Sequence, residues 1–171
     1  MAFLTYRELR TEPLIEQVLL KSASVRPKQK IVFLSHSSED NTHLAGVVNF
    51  FSDFNAPVYV DIQDTTLPTT PSHRTASIIK NAISACPRFV ILVSPNSYYS
   101  NWIPWELGFA DSEKGVSNIA LLPIAPTSRE DKWIGYEYLS LYPRILKRND
   151  EWRVYDTRDN KYWTLLKWLR V

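Results

Sequence analysis

Three continuous runs of apolar residues constrain the fold of this 171-residue chain more than any other feature. They occupy residues 31–35 (IVFLS), 88–93 (RFVILV) and 118–124 (NIALLPI). A strand without polar alternation must be buried on both faces, which happens in parallel sheets that helices cover on either side. Segments with helical spacing lie between these runs, so the sequence predicts an α/β fold with a parallel sheet.

The segments between the runs predict three helices and one further strand. The first helix has its apolar residues on one face, at Leu44, Val47, Val48, Phe51 and Phe54. The second has its apolar face at Ile78, Ile79, Ala82 and Ile83, and residues 102–113 form a third. Residues 56–60 (APVYV) predict a strand. Because parallel strands are joined by right-handed crossovers, the arrangement is a doubly wound sheet.

The two ends of the chain extend this core. Thr11 is a candidate N-cap for a helix with Pro13 in its first turn, and residues 21–30 predict a linker. We therefore expect a helical extension and linker over residues 1–29 and a main domain over residues 30–171. The main domain divides into a core at residues 30–126 and a C-terminal part at residues 127–171. In the latter, Glu151–Asp156 predicts a strand and residues 161–170 a closing amphipathic helix.

Composition excludes several classes of partner and site. The 20 Lys and Arg against 18 Asp and Glu are too balanced for a nucleic-acid-binding protein. No apolar run approaches the roughly 18 residues that span a bilayer, and the N-terminus is charged too early for a secretory signal. With one cysteine, four glycines and no helical His pair, we expect no disulfide, no glycine-rich phosphate loop and no metal site. These features predict a cytoplasmic protein without a membrane partner.

Polar residues follow three of the predicted strands. His36, Ser37 and Ser38 come directly after the first, and Asp61 follows the second. Trp102 and Glu106 lie four residues apart in the helix after the third, so they share one helix face. Ligands of doubly wound sheets bind beyond the carboxyl ends of the strands, and the loops after these strands therefore predict one cleft.

These segments resemble the signature motifs of TIR domains. IVFLSHSSED is similar to their first box, and APVYVD with its polar loop is similar to their second strand and BB loop. SNWIPWELGFAD matches their Ser-x-Trp-x-x-x-Glu-Leu pattern, and NIALLPI falls where their next core strand lies. The resemblance covers roughly residues 30–126. It implies a flavodoxin-like sheet of about five mainly parallel strands with helices on both faces.

The resemblance also implies an activity, because many bacterial TIR domains cleave NAD between nicotinamide and ribose. It implies Glu106 as the catalytic carboxylate, with NAD as substrate and no further cofactor. The residues that it implies as substrate contacts are Ser35, His36, Ser37, Ser38, Asp61 and Trp102. The product would be ADP-ribose if water captures the ribose, or a cyclic ADP-ribose isomer if a group of the same molecule does.

Implied partners follow from the same family. In its active members a second TIR protomer completes the site through the BB loop, which implies self-association. Small standalone members resemble the signal-producing component of bacterial anti-phage systems such as Thoeris, which implies a separate effector that responds to the product. The corresponding loop here, residues 61–73, contains no glycine, so the family's loop shape cannot be transferred to it.

The chemistry is consistent with a single carboxylate. Glycosidases normally need one acid to protonate the leaving group and a second carboxylate for the other face. The nicotinamide of NAD is already cationic and departs neutral, so no acid is required. What remains is to stabilise a positively charged ribose, which an anionic Glu106 in a dry cleft can do while Trp102 stacks on a ring.

Three alternatives remain open from the sequence. In the first, Glu106 is a surface helix residue or a partner of the helix dipole, and Trp102 is a core or interface aromatic. In the second, the chain is a non-enzymatic TIR adaptor that acts through TIR–TIR contacts, since many adaptors carry the same glutamate and its presence does not prove catalysis. A third reading is an enzyme resembling nucleoside 2-deoxyribosyltransferases, which have a similar fold and a glycosidic carboxylate.

Overall fold

The computed structural model describes residues 1–9, 31–60, 72–127 and 137–170. The helix predicted from Thr11, the linker at residues 21–30, Asp61 and most of the loop at residues 61–73 lie outside these residues. Eight strands of the described part form one sheet. They are β1 (Leu4–Thr5), β2 (Val32–Ser35), β3 (Val58–Tyr59), β4 (Arg88–Val93), β5 (Ile119–Ala125), β6 (Arg144–Arg148), β7 (Glu151–Asp156) and β8 (Lys161–Thr164).

Four α-helices accompany the sheet in the described part of the chain. They are α1 (Leu44–Ser52), α2 (His73–Ala85), α3 (Trp102–Lys114) and α4 (Leu165–Leu169). Short 3-10 helices at Ser38–His43, Pro95–Tyr99, Val116–Asn118 and Glu137–Leu141 complete the connections. None of the helices in the described ranges is long and apolar enough to cross a membrane.

The sheet has the doubly wound order that the sequence predicts. Its strands run β3-β2-β4-β5-β6-β7-β8, and the first five of these are parallel. Strand β1 pairs in parallel with the end of β5, on the edge where β6 pairs with its start. The prediction of about five mainly parallel strands with helices on both faces is therefore confirmed.

Alternate residues of the central strands enter two separate cores. Phe33, Phe89 and Ile91 face one side of the sheet, where they pack with buried residues of α2 and α3. Leu34 and Val90 face the other side and pack with buried residues of α1 and α4. This burial on both faces is why the apolar runs of β2, β4 and β5 carry no polar alternation.

The C-terminal part differs from its prediction in two ways. Strand β6 was not predicted; it extends the parallel sheet at Leu121 and Arg144. Residues 161–170 do not form one helix: β8 pairs antiparallel with β7, and the helix begins only at Leu165, where the Thr164 side chain accepts from the Lys167 N–H at 3.2 Å. Aromatic residues Tyr162 and Trp163 favour a strand, and the Thr164 cap favours a helix only after it. The prediction of β7 is confirmed.

The N-terminal residues join the sheet and pack against α1. Strand β1, which was not predicted, adds to β5, and Tyr6 stacks on His43 with ring centroids 4.5 Å apart. Leu9 is buried against Gly46 of α1. A Cβ atom at Gly46 would lie 2.1 Å from the Leu9 carbonyl oxygen, so only glycine allows this contact.

We expect Gly46→Ala to destabilise the protein by about 1–3 kcal/mol, because the new methyl group displaces the backbone at Leu9. Gly108→Ala is the matched control, since a Cβ there meets nothing within 4 Å. A helix-interior alanine at that position should be neutral or stabilise by up to about 1 kcal/mol. Urea unfolding of both variants measures the difference, and equal effects would contradict the proposed contact.

Candidate active site

The parallel pairing of β2 with β4 brings two turns to one edge of the sheet. Ser35 at the end of β2 is in register with Ile91 of β4. The turn after β2 (residues 36–43, the β2 turn) therefore lies beside the turn after β4 (residues 94–101, the β4 turn). Helix α3 starts directly after the β4 turn and carries its first two turns to the same edge.

A cleft of about 510 Å³ opens between these elements, within the range of small-molecule sites. The β2 turn contributes His36, Ser37, Ser38, Glu39 and Asn41 to its lining. The β4 turn and α3 contribute Tyr99, Ser100, Asn101, Trp102 and Glu106.

Glu106 is a buried carboxylate in the wall of this cleft. Its side chain belongs to α3, yet the residue is only 3% exposed, so the interpretation of Glu106 as a surface helix residue is wrong. The Ser35 hydroxyl, itself buried, donates a hydrogen bond to Glu106 Oε2 at 2.5 Å. A buried carboxylate needs such donors to compensate for lost hydration. This bond ties α3 to the end of β2 and fixes the carboxylate at the cleft.

A second buried carboxylate, Asp40, joins the two turns. It accepts hydrogen bonds from the Ser94 hydroxyl at 2.6 Å and from the Asn96 side-chain amide at 2.8 Å. Asp40 is fully buried, and its own N–H donates to the Ser37 carbonyl oxygen at 2.9 Å. These bonds hold the β2 turn against the β4 turn, so they determine the width of the cleft.

The β4 turn has its own internal support. Ser94 and Ser97 form a reciprocal capping box at the start of Pro95–Tyr99, and the Ser97 hydroxyl donates to the Leu92 carbonyl oxygen at 2.9 Å. The Ser-Pro-Asn-Ser sequence of residues 94–97 is a helix-start signal that could have predicted this turn. The cleft wall is thus anchored to β4 by side chains as well as by the backbone.

Aromatic side chains form the outer part of the cleft. Trp102 is 36% exposed and packs edge-on against Trp105, with ring centroids 5.4 Å apart. The Lys80 ammonium of α2 lies 5.6 Å from the Trp105 ring centroid and 5.3 Å from that of Phe109. Trp105 therefore contacts both Trp102 and Lys80. Tyr99, which sequence reasoning missed, is 80% exposed at the rim.

Most of the predicted site residues come together. His36, Ser37, Ser38, Trp102 and Glu106 line the cleft, while Ser35 lies behind it and reaches it through Glu106. Asp61 is outside the described residues, so its predicted contact stays a prediction.

Sequence reasoning did not single out Asp40, Asn41, Tyr99, Ser100 or Asn101. Position in the loops after β2 and β4 was the available signal for all five. Among the described residues no group of three His, Cys, Asp or Glu side chains is placed to hold a metal ion. What the cleft offers instead is a fixed carboxylate beside an aromatic wall, which suits stabilisation of positive charge on a bound ligand.

Comparison with known proteins gives these residues a context. A family model described as "TIR domain" matches residues 32–154, which extends past the core predicted at residues 30–126. The chain is 39% identical over 124 residues to a protein of Bacillus cereus (strain MSX-D12) named "Probable 3' cyclic ADP-D-ribose synthase ThsB'". The match covers 70% of this chain and 63% of that relative, so the chain spans less than two thirds of the relative's length.

The chain is similar to a solved structure of the TIR domain of the Toll-related receptor TRR-2 from Hydra magnipapillata, at 20% sequence identity and a TM-score of 0.46. The match covers 63% of this chain and 76% of the receptor domain.

We expect Asp40→Ala to destabilise the protein by about 3 kcal/mol, because it leaves the Ser94 and Asn96 donors without their charged acceptor. Asp53→Ala, at an exposed position after α1, is the matched control and should stay within about 0.5 kcal/mol of wild type. Urea unfolding measures both. A loss at Asp40 no greater than that of the control would mean that these bonds do not hold the turns together.

Proposed function

The chain belongs to the TIR domain family, and from this premise we propose that it is an enzyme that cleaves the nicotinamide–ribose bond of NAD. The observation that carries the proposal is the buried Glu106 carboxylate, held by Ser35 in the wall of a ligand-sized cleft. The relative from Bacillus cereus, named as a cyclic ADP-D-ribose synthase, supports the same activity.

In the proposed reaction the bond between ribose C1′ and the nicotinamide ring nitrogen breaks. The electron pair leaves with the ring nitrogen, so the cationic nicotinamide departs as a neutral molecule and needs no proton. Positive charge develops on the ribose, and the anionic Glu106 stabilises it because the carboxylate is already oriented by Ser35. Trp102 covers the reacting end of the substrate and excludes water.

The ribose cation is then captured by a nucleophile. Attack by water gives ADP-ribose, and attack by a hydroxyl group or ring nitrogen of the same molecule gives a cyclic isomer; a proton is released in each case. We propose the cyclic product for this chain, supported by the name of its 39% identical relative. The cyclic product serves as a signal for a separate effector in a Thoeris-like anti-phage response, and the cytoplasm is where the protein acts.

The non-enzymatic adaptor is the competing function. Many adaptors carry the same glutamate, so its burial does not separate the two functions. The name of the 39% identical relative, a probable cyclic ADP-D-ribose synthase, favours the enzyme. Family membership argues against the third reading, an enzyme related to nucleoside 2-deoxyribosyltransferases.

Self-association is part of the proposal. The cleft is open to the surface at Tyr99, and the neighbouring Tyr98 is 56% exposed, so apolar area remains for a second copy to cover. A second TIR protomer that closes the cleft would exclude water and favour cyclisation over hydrolysis.

We expect Glu106→Gln to lower NAD turnover by at least about 100-fold, because the amide keeps the shape of the side chain but not its charge. Glu113→Gln, at an exposed position of the same helix, should retain wild-type turnover. Liquid chromatography with mass spectrometry follows nicotinamide and identifies the second product, which is one water lighter than ADP-ribose if it is cyclic. Equal turnover by the two variants would remove Glu106 from the mechanism, and a wild-type protein that never releases nicotinamide would support the adaptor.

Turnover per molecule should rise with protein concentration if a second copy completes the site, because association follows mass action. Adding an excess of Glu106→Gln protein to dilute wild type should raise wild-type turnover, since an inactive copy can still cover the cleft. Initial rates of nicotinamide release over a wide range of concentrations test this. Constant turnover per molecule, with no response to the inactive copy, would exclude a shared site.

A further inference from the structure

Among the residues that the structure describes, one buried polar atom of the cleft lining has no hydrogen-bond partner. Asn41 lines the cleft, and its Oδ1 is buried without a hydrogen-bond donor from any described residue. Buried side-chain oxygens in folded proteins nearly always have a partner, since leaving one unpaired is costly. A donor on a bound ligand would remove that cost.

Asn41 is held rigidly enough to recognise a ligand. It follows Asp40, whose carboxylate accepts hydrogen bonds from Ser94 and Asn96 of the β4 turn. Asp40 is fully buried, so its neighbour cannot move without breaking those bonds. A recognition group whose backbone is fixed in advance loses little freedom when the ligand binds.

The chemistry of the Asn41 side chain limits what it can bind. A phosphate offers only acceptors at neutral pH and cannot satisfy an amide oxygen. The amide presents an acceptor beside a donor, so its best partner is an N–H donor beside an acceptor. The ribose hydroxyl groups of NAD can also donate to an amide oxygen, but two groups of NAD present an N–H donor beside an acceptor: the carboxamide of nicotinamide, and the amino edge of adenine.

The position of the reacting bond selects between them. In the proposed function, on which this inference rests, ribose C1′ lies at Glu106, which lines the same cleft as Asn41. Nicotinamide is bonded directly to that carbon, whereas adenine is separated from it by two phosphates and a second ribose. The carboxamide is therefore the group that reaches Asn41 when the reacting bond is at Glu106.

We propose that Asn41 is a specificity-determining residue that binds the carboxamide of nicotinamide through its side-chain amide. The carboxamide N–H donates to Asn41 Oδ1, and its carbonyl oxygen accepts from Asn41 Nδ2. This pairing orients the leaving group and rejects nicotinic acid dinucleotides, because a carboxylate has no donor for the buried oxygen.

Substrate selectivity is the first test. The ratio of kcat/KM for NAD to that for nicotinic acid adenine dinucleotide should be about 10 or more in the wild type. Asn41→Ala should lower kcat/KM for NAD about tenfold and bring this ratio to within about twofold of unity. The ratio of NAD to nicotinamide hypoxanthine dinucleotide, which lacks the adenine amino group, should not change.

Two further variants test whether the effect of Asn41→Ala comes from a general loss of structure. Asn41→Asp keeps the shape and the buried acceptor, so it should still use NAD while rejecting the nicotinic acid analogue more strongly than the wild type does. Asn81→Ala makes the same truncation on an exposed face of α2 and should leave both ratios unchanged. If Asn41→Ala keeps the wild-type ratio of kcat/KM for NAD to that for nicotinic acid adenine dinucleotide, the proposal is wrong. If the ratio for nicotinamide hypoxanthine dinucleotide changes instead, Asn41 contacts adenine rather than nicotinamide.

A binding measurement that needs no turnover separates this inference from the proposed function. The side-chain amide resonances of Asn41, identified by their loss in Asn41→Ala, should shift when nicotinamide is added and not when nicotinic acid or adenosine is added. A shift with nicotinamide but no NAD cleavage would contradict the proposed enzymatic activity and support the binding site at Asn41. Normal NAD cleavage with no shift and unchanged ratios would contradict the binding site and support the enzymatic activity.

Discussion

The hydrogen bond from Ser35 to Glu106 is the interaction on which the rest of the site depends. It crosses 71 residues of sequence and joins the end of a central strand to the second turn of α3. The bond compensates part of the hydration that this carboxylate, at 3% exposure, loses on burial, and it ties α3 to the sheet. The sheet makes the bond possible, since Ser35 ends a strand that is buried along its whole length.

The other polar contacts of the site extend this arrangement. Asp40 binds the β4 turn and keeps the cleft open at a fixed width, while Trp105 and Lys80 support Trp102. In the proposed reaction the cationic leaving group departs as a neutral molecule, so charge stabilisation is needed rather than proton transfer, and one carboxylate is sufficient. Substrate selectivity in the proposal depends on the cleft walls, where Asn41 Oδ1 has no donor among the described residues. The proposed catalytic residue thus lies on α3 and the proposed recognition residue on the β2 turn.

Much of this could be predicted from the sequence, and each exception has a physical cause. Continuous apolar runs predicted β2, β4 and β5, and a motif at the strand ends predicted Glu106 and Trp102 in one cleft. Strand β6, with the sequence RILKR, has only two buried apolar residues between charged ends, so the sequence contains no apolar run that would predict it. The role of Asp40 in joining the two turns was not predicted because its partners lie 54 and 56 residues away, and only the folded sheet brings them together.

A crystal structure of the Glu106→Gln variant with NAD bound tests the central claim most directly, because the intact substrate can then be located. We predict the nicotinamide riboside half in the cleft, with ribose C1′ about 3–4 Å from the side chain of residue 106. Trp102 would lie against the reacting end. NAD bound with its ribose away from residue 106, or on another surface of the protein, would contradict the account.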